Sequence, residues 1–212
     1  MRRKKIGMNR EDLFACPFWF DKIELDTEQV DNAIKSTPCY LAMSVDENVL
    51  DTTFKFLFDP INERVYKAMD QMGFLNYSIF TSWMTKTVAG YRHELDHMHY
   101  NSLLSGVVYL TDNPSPLLFR HPMPWRWLSG PNNEKSLNSN KFTLTPKKGD
   151  IVLFPSHIHH LILPHKNVAT VNGFPTFAVQ SDRCSIAFNV HPTGQYGIRD
   201  SRINVSIHPN EK

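Results

Sequence analysis

Residues 93–110 read HELDHMHYNSLLSGVVYL, and this stretch decides how the rest of the chain is interpreted. It places three histidines and two carboxylates within seven positions, directly before an apolar run that is typical of a buried β-strand. In a strand, residues i and i+2 project to the same face, so His97 and His99 point together while Met98 points away. The pattern therefore predicts a pair of imidazoles that reach one metal ion from a single element.

A second histidine cluster offers a further ligand from a distant part of the chain. It lies in FPSHIHHLILP, residues 154–164, which is again a strand-like segment. His157 and His159 would share one face of such a strand, with His160 on the other. Three protein ligands on one side of the ion are typical of Fe(II) sites that activate O₂, and no cysteine lies nearby to suggest a closed zinc site. Spacing alone leaves open which histidine of this cluster is the third metal ligand.

Length, charge and cysteine content set the broad class. A chain of 212 residues fits a single domain spanning residues 1–212. The formal net charge is +2, so charge gives no argument for nucleic-acid binding, and no apolar run reaches the length of a membrane helix. The three cysteines are scattered and form no disulfide framework. These features predict an intracellular, cytoplasmic protein without a nucleic-acid or membrane partner.

Hydrophobic periodicity divides the chain into a helical beginning and a long β-rich remainder. Helical patterns occur at DTEQVDNAIKS (26–36) and PINERVYKAMDQMG (60–73), and an early strand is predicted at DKIEL (21–25). Residues 1–80 would then support an all-β core, a sandwich or jelly roll formed by residues 81–212 with the helices packed outside. The polar segment 129–140 is either a solvated loop or a lid. The strand patterns of the core lie at residues 77–90, 102–110, 141–146, 149–156, 183–190 and 202–208.

Five short motifs in the second half of the chain occur in a specific order. Three of them are long: HMHYNSLLSGVVYL (97–110), KKGDIVLFPSHIHHLILP (147–164) and RCSIAFNV (183–190). The other two are Ser82–Trp83 and LLFRHP (117–122). From Trp83 to Asn189 the chain thus resembles the 2-oxoglutarate- and Fe(II)-dependent oxygenase superfamily, in particular small members found in bacteria and phages. The family pattern is HxH, SGVxYL, FPSxxxHxVxP and RxSIAFN, with Ile162 here in place of the valine.

The resemblance implies a double-stranded β-helix, or jelly-roll, core with Fe(II) and 2-oxoglutarate as cofactors. It assigns His97, His99 and His160 as the metal ligands and, beyond them, no separate catalytic residue. It assigns Arg183 to the far carboxylate of 2-oxoglutarate, a role that suits a bidentate guanidinium. The implied activity is that of a dioxygenase that hydroxylates an unidentified substrate while 2-oxoglutarate is decarboxylated to succinate.

The chain departs from the commoner family pattern in two places. His99 stands where most members have Asp or Glu, so the site would carry no negatively charged protein ligand. The nearby Asp96 lies on the opposite face of a regular strand and would reach the metal only through a β-bulge, an alternative that the sequence leaves open. The segment KNVATVNGFPTFAVQSD (166–182) is long, and we expect an inserted hairpin that turns at VNGFP.

Residue positions also suggest neighbours for the cosubstrate. Thr85, or the nearby Thr87, precedes the metal strand, and Ser105 lies within the strand that follows it. Asn189 lies on the same face as Arg183 of the last core strand. We predict Thr85, Ser105, Asn189 and Arg183 as cosubstrate-binding residues, whereas the aromatic residues Trp83, Tyr109 and Phe119 are expected in the core.

Two other functions fit the same pattern. One is a cupin-like dioxygenase that binds a metal without 2-oxoglutarate, and the other is a non-catalytic jelly-roll module that binds partners. The role of Arg183 separates the first of these from a 2-oxoglutarate enzyme. The substrate, a small molecule or a peptide, is not identified by the sequence. The sequence does not determine the oligomeric state either, and a homodimer is one assembly that it allows.

Overall fold

The computed structural model describes residues 16–40, 42–87, 96–112, 115–122, 141–163, 168–171, 174–177 and 183–207. The segment 129–140, predicted to be either a solvated loop or a lid, lies outside these ranges, as does His93. The helices are α1 (Thr27–Ser36) and α2 (Phe58–Gln71), with 3₁₀ turns at Lys55–Leu57 and Arg199–Ser201. The strands are β1 (Trp19–Lys22), β2 (Cys39–Tyr40), β3 (Met43–Ser44), β4 (Tyr77–Thr87), β5 (Leu104–Tyr109), β6 (Leu117–Arg120), β7 (Lys141–Leu144), β8 (Asp150–Pro155), β9 (His160–Ile162), β10 (Val168–Val171), β11 (Phe174–Phe177), β12 (Arg183–Pro192), β13 (Gly194–Tyr196) and β14 (Ile203–Val205).

Two antiparallel sheets form the core. The larger sheet has the order β1-β8-β5-β12-β4-β3-β2, and the smaller has the order β7-β6-β9. Apolar side chains from both sheets meet in one cluster, which includes Val152 and Phe154 of β8 and Leu117 and Phe119 of β6. Two facing antiparallel sheets around a shared interior are the arrangement expected of a jelly roll. The predicted all-β core, a double-stranded β-helix with the helices outside, is confirmed.

The central strands of the larger sheet bury both faces, but the two faces differ in chemistry. On β5, Leu104 and Val108 pack into the main hydrophobic cluster, whereas Ser105 and Val107 line a cavity on the other side. On β12, Ile186 packs into the same hydrophobic cluster. Because side chains alternate along a strand, the polar residues at odd-numbered positions of β5 and β12 lie on the face toward the cavity.

The helices cover the outer face of the larger sheet. The side chain of Asp26 caps α1, since its Oδ1 accepts a hydrogen bond of 3.0 Å from the backbone N–H of Gln29. Helix α2 begins at Phe58, two residues before Pro60, and buries one face that consists of Ile61, Val65, Ala68 and Met69. These residues join the hydrophobic cluster beneath the sheet. Both predicted helices are therefore confirmed on the outside of the core.

Gly106 permits the close packing of three strands. A Cβ atom at this position would overlap the ring of Phe188 on β12 and approach Leu153 Cδ2 on β8 to 2.7 Å. Any larger side chain would push the central strands apart, because core packing leaves no spare volume. Close packing of the neighbouring strands therefore requires glycine at this position of the SGVVYL motif.

Several smaller elements differ from the sequence expectation. Strand β1 begins at Trp19 and ends at Lys22, so it lies earlier than the predicted DKIEL strand. The expected inserted hairpin is confirmed, because β10 and β11 pair in antiparallel fashion with Val171 opposite Phe174. None of the described helices is long and apolar enough to cross a membrane.

Candidate metal centre

Three imidazoles converge at one end of the space between the two sheets. One ligand nitrogen from each of His97, His99 and His160 lies within 4.8 Å of the others. The ring centroids are 4.4 Å apart for His97 and His160, and 5.2 Å apart for each of the other two pairs. His160 is buried, and the other two are partly buried. Three nitrogen donors this close can hold a divalent first-row metal ion from one side.

Backbone hydrogen bonds bring the two histidine segments together. His97 and His160 form an antiparallel bridge, in which each backbone N–H donates to the other residue's carbonyl at 3.1 and 2.9 Å. The N–H of His99 donates to the carbonyl of Ser156 at 3.0 Å. The predicted i, i+2 pair is thus held against the second cluster through main-chain contacts.

The orientation of the His160 ring is fixed by a local contact. Its Nδ1 lies 2.9 Å from the carbonyl oxygen of Ile158, a group that can only accept a hydrogen bond. Nδ1 therefore carries the proton, and Nε2 keeps its lone pair for a metal. The ring also packs edge-on against Phe154, with centroids 4.8 Å apart. These contacts suit a metal ligand that needs little reorganisation.

The second histidine cluster contributes one residue to the centre. A turn follows Pro155, and β9 begins only at His160, so the FPSHIHHLILP segment is not one continuous strand. The side chains of His157 and His159 are exposed on the outside of the core. The structure thus brings together the three histidines that the resemblance assigned.

Asp96 points away from the three imidazoles. Its Oδ2 forms an ion pair with Nε of Arg120, and its Oδ1 lies 3.6 Å from Nδ1 of His159. The chain bends at Asp96 but the bridge at His97 is kept, so no bulge carries the carboxylate inward. This geometry favours His99 over Asp96 as the third donor.

A buried basic group lies in the wall of the same cavity as the three histidines. Arg183 is only 2% exposed, and its Nε and Nη1 have no hydrogen-bond partner among the described residues. Its guanidinium carbon is 5.1 Å from the ring centre of Tyr109, whose buried hydroxyl is also unpartnered in the described structure. Burial raises the pKa of the Tyr109 hydroxyl, and the positive charge of Arg183 partly opposes this effect. Two buried donors without partners fit an anionic ligand such as a carboxylate.

The other predicted cosubstrate residues occupy different positions. Thr85 and Ser105 line the cavity, together with Trp83 and the three histidines. Ser105 is also part of a buried polar chain, in which its Oγ donates to Asn189 Oδ1 at 2.8 Å and lies 2.8 Å from Ser156 Oγ. Asn189 is not among the described residues that line the cavity, and it contacts the lining residue Ser105 through this hydrogen bond.

A family comparison decides the class of this arrangement. The family model for 2OG-Fe(II) oxygenases matches residues 81–189, a span that contains the three histidines and Arg183. The chain belongs to the 2OG-Fe(II) oxygenase family. Its cofactors are therefore Fe(II) and 2-oxoglutarate, and the protein is an oxidoreductase. No curated protein sequence matches the chain.

Solved structures of 2OG-Fe(II) oxygenases share the fold. HygX from Streptomyces hygroscopicus, solved with iron bound, is 12% identical with a TM-score of 0.53, over 84% of this chain and 83% of its own. The α-ketoglutarate-dependent epimerase SnoN from nogalamycin biosynthesis is 12% identical with a TM-score of 0.55, over 85% and 81%. At this identity the likeness supports the jelly-roll fold and says nothing about substrate.

Sequence reasoning about this oxygenase left two features near Arg183 unassigned. Tyr109 lies in the core, as expected, and its buried hydroxyl has no hydrogen-bond partner among the described residues. Ser185 was not singled out, yet it is buried and lines the cavity two residues after Arg183. The two-residue step was the available signal, since Ser105 and Tyr109 share one face of β5, and Arg183 and Ser185 share one face of β12.

Proposed function

We propose that this oxygenase binds Fe(II) through His97, His99 and His160, and 2-oxoglutarate through Arg183, and hydroxylates a C–H bond of a substrate still to be identified. The observation that carries the proposal is the buried guanidinium in the wall of the cavity where the three imidazoles meet, two of whose nitrogens have no hydrogen-bond partner among the described residues. A charge in that position costs stability unless an anion accompanies it. A dianionic cosubstrate that also chelates the metal supplies that anion.

The three histidines give the centre its particular charge. When bound, iron together with O₂ couples the decarboxylation of 2-oxoglutarate to succinate with oxidation of the substrate. Neutral imidazoles add no negative charge, so the ion keeps its formal +2 in this site. Binding of dianionic 2-oxoglutarate then matters more for charge balance than in relatives with a carboxylate ligand. We therefore expect metal and cosubstrate to bind with strong positive cooperativity.

Arg183 and its neighbours would orient the cosubstrate. Two nitrogens of the guanidinium, Nε and Nη1, have no hydrogen-bond partner among the described residues, and each can donate a charge-assisted hydrogen bond to a carboxylate oxygen. Tyr109 adds a hydroxyl beside it, while Thr85 and Ser185 add hydroxyls in the cavity wall. Ser105 and Asn189, joined by a hydrogen bond, would support this wall. The aromatic rings of Trp83 and Phe154 would limit the access of water to the metal.

Two alternative functions make different predictions for the same residues. A cupin-like dioxygenase would bind the metal without 2-oxoglutarate, so loss of Arg183 would have no specific effect on 2-oxoglutarate binding. A non-catalytic jelly-roll module would have no need for three ligand nitrogens within 4.8 Å of one another. The family match argues against the first alternative, and the histidine triad argues against the second.

We further propose a single domain across residues 1–212 that acts in the cytoplasm on a small molecule or a peptide, as a homodimer. All three cysteines are free thiols, which suits a reducing compartment. The net charge of +2 offers no broad electrostatic attraction to nucleic acid.

The deciding experiment is an anaerobic titration of the metal-free protein with Fe(II), with and without 2-oxoglutarate. We expect a weak visible charge-transfer band from the iron–cosubstrate chelate. The band should disappear in His160→Ala and in Arg183→Met, and it should persist in the control variant His157→Ala, which changes an exposed histidine. Metal binding without any band would favour the cupin-like enzyme, and no metal binding would favour the non-catalytic module.

A further inference from the structure

A second group of charged residues lies on the outer side of the histidine segments. Asp96 forms an ion pair with Arg120 at the end of β6, and its other carboxylate oxygen lies 3.6 Å from Nδ1 of His159. The backbone N–H of Arg120 donates to the carbonyl of His159 at 2.8 Å. We refer to Asp96, Arg120 and His159 as the outer cluster.

Each member of the outer cluster is adjacent in sequence to part of the metal centre. Asp96 directly precedes His97, and His159 directly precedes His160. Phe119, the residue before Arg120, lies opposite His160 in the β6–β9 pairing. Because neighbouring residues of extended chain point to opposite faces, the outer cluster and the imidazoles lie on opposite sides of the same backbone.

Main-chain hydrogen bonds join the two histidine segments. His97 and His160 form an isolated bridge rather than part of a longer ladder in the described chain. Two hydrogen bonds join them, and a third joins His99 to Ser156. The ion pair ties Asp96, which directly precedes His97, to Arg120 in the sheet that contains His160, and it adds a side-chain contact to these main-chain bonds.

We propose that Asp96 and Arg120 are positioning residues for the metal centre. Their ion pair holds the segment with His97 against the sheet with His160 and keeps the Asp96 carboxylate off the metal. The inference rests on the metal site proposed above. It gives Asp96, which directly precedes the HxH motif, a role other than metal ligation. The two side chains are 32% and 53% exposed, and such pairs add little to global stability. Their effect should therefore appear in metal affinity and not in the melting temperature.

Ligation by Asp96 itself is the competing role. In that case the carboxylate would leave Arg120 once a metal arrives, and removal of Arg120 would help rather than hinder binding. The two roles thus predict opposite effects for substitutions of Arg120. A positioning pair also predicts non-additive effects, because either substitution alone already breaks the same contact.

The test is a titration of the full-length, metal-free protein with Co(II) at fixed pH, followed by visible ligand-field absorption. The variants are Asp96→Asn, Arg120→Met, the double variant, and the reversed pair Asp96→Arg with Arg120→Asp. We expect Kd to rise about two- to fivefold in each single variant, the range that an exposed ion pair contributes, and less than the roughly 10- to 100-fold typical of groups bonded directly to a metal ligand. The double variant should be no weaker than the singles, and the reversed pair should regain part of the affinity. Lys67→Met is the matched control, because it breaks an exposed ion pair with Glu63 on α2.

The outcomes separate this inference from the proposed function. The positioning role is overturned if Asp96→Asn alone changes the Co(II) spectrum while Arg120→Met binds as tightly as wild type or more tightly. It is equally overturned if wild type binds Co(II) in a His160-dependent way and neither single variant changes Kd. If wild type fails to bind, or binds no better than His160→Ala, the metal site itself is wrong and both proposals fall.

Discussion

The guanidinium carbon of Arg183 lies 5.1 Å from the ring centre of Tyr109, and the two side chains are 2% and 1% exposed. Neither the Tyr109 hydroxyl nor two of the guanidinium nitrogens has a hydrogen-bond partner among the described residues. Buried donors without a hydrogen-bond partner lower the stability of the folded protein. If this pair binds the cosubstrate as proposed, stability and cosubstrate affinity should depend on the same residues.

Arg183→Met should stabilise the protein without ligand while abolishing cosubstrate binding. Replacing a buried unpaired charge with an apolar side chain of similar length removes a desolvation cost of about 1–3 kcal/mol. The affinity for 2-oxoglutarate should fall at least about 100-fold, given about 3 kcal/mol for a charge-assisted pair. Thermal unfolding with and without 2-oxoglutarate measures both effects, and metal affinity without cosubstrate should change little. A variant that is less stable without ligand would contradict the assignment.

Tyr109→Phe should weaken 2-oxoglutarate binding about five- to tenfold, the contribution of one hydrogen bond, without loss of stability near neutral pH. Burial raises the pKa of this phenol. A raised folded-state pKa means that stability is intact below the unfolded value of about 10 and falls as pH rises through the folded value. Wild type should therefore lose stability above about pH 9.5 more steeply than Tyr109→Phe. Denaturant melts between pH 8 and 11 would show this, with Tyr100→Phe, which changes an exposed tyrosine, as the control.

The sequence predicts much of the core because strands with two buried faces carry a readable alternation. Leu104 and Val108 repeat at the spacing of one face, and Ser105 and Val107 at that of the other. The HxH pair, being local, follows from the same rule. The ordered motifs add the distal ligand, because a distant histidine can be recognised by its neighbours in the chain even where geometry is unknown.

Other features depend on long-range contacts that periodicity does not encode. A turn after Pro155 breaks the second histidine segment, so strand alternation could not single out His160. The partner of Asp96 is Arg120, which is 24 positions away at the end of β6. The contact between Tyr109 and Arg183 has the same cause, since the folded pairing of β5 with β12 brings the two side chains together. Two-residue strands such as β2 and β3 are too short to carry a period.

Gly106→Ala should destabilise the fold by about 1–3 kcal/mol through overpacking. The added methyl group would overlap the Phe188 ring and come within 2.7 Å of Leu153 Cδ2. Phe188→Leu should relieve part of this overlap, so the double variant should be more stable than the sum of the single effects predicts. Urea unfolding of the four proteins measures the coupling. Simple additivity would show that the strands separate to accommodate the methyl group.

Metal binding should raise the melting temperature in a manner that depends on the three histidines. A ligand at 100 times its Kd stabilises the folded state by about 2.7 kcal/mol, which corresponds to about 5–10 °C for a chain of this size. Mn(II) is a suitable redox-stable probe, because oxygen- and nitrogen-donor Fe(II) sites also accept it. We expect the shift in wild type and in His157→Ala, and its loss on addition of a chelator or in His97→Ala and His160→Ala. His99→Asp should keep most of the shift in melting temperature, since a carboxylate at that position restores the commoner ligand set. It should reduce the additional shift caused by 2-oxoglutarate, because the metal then needs less negative charge from its cosubstrate. If His99→Asp lost the metal entirely while Asp96→Asn also lost it, the three-histidine assignment would be wrong.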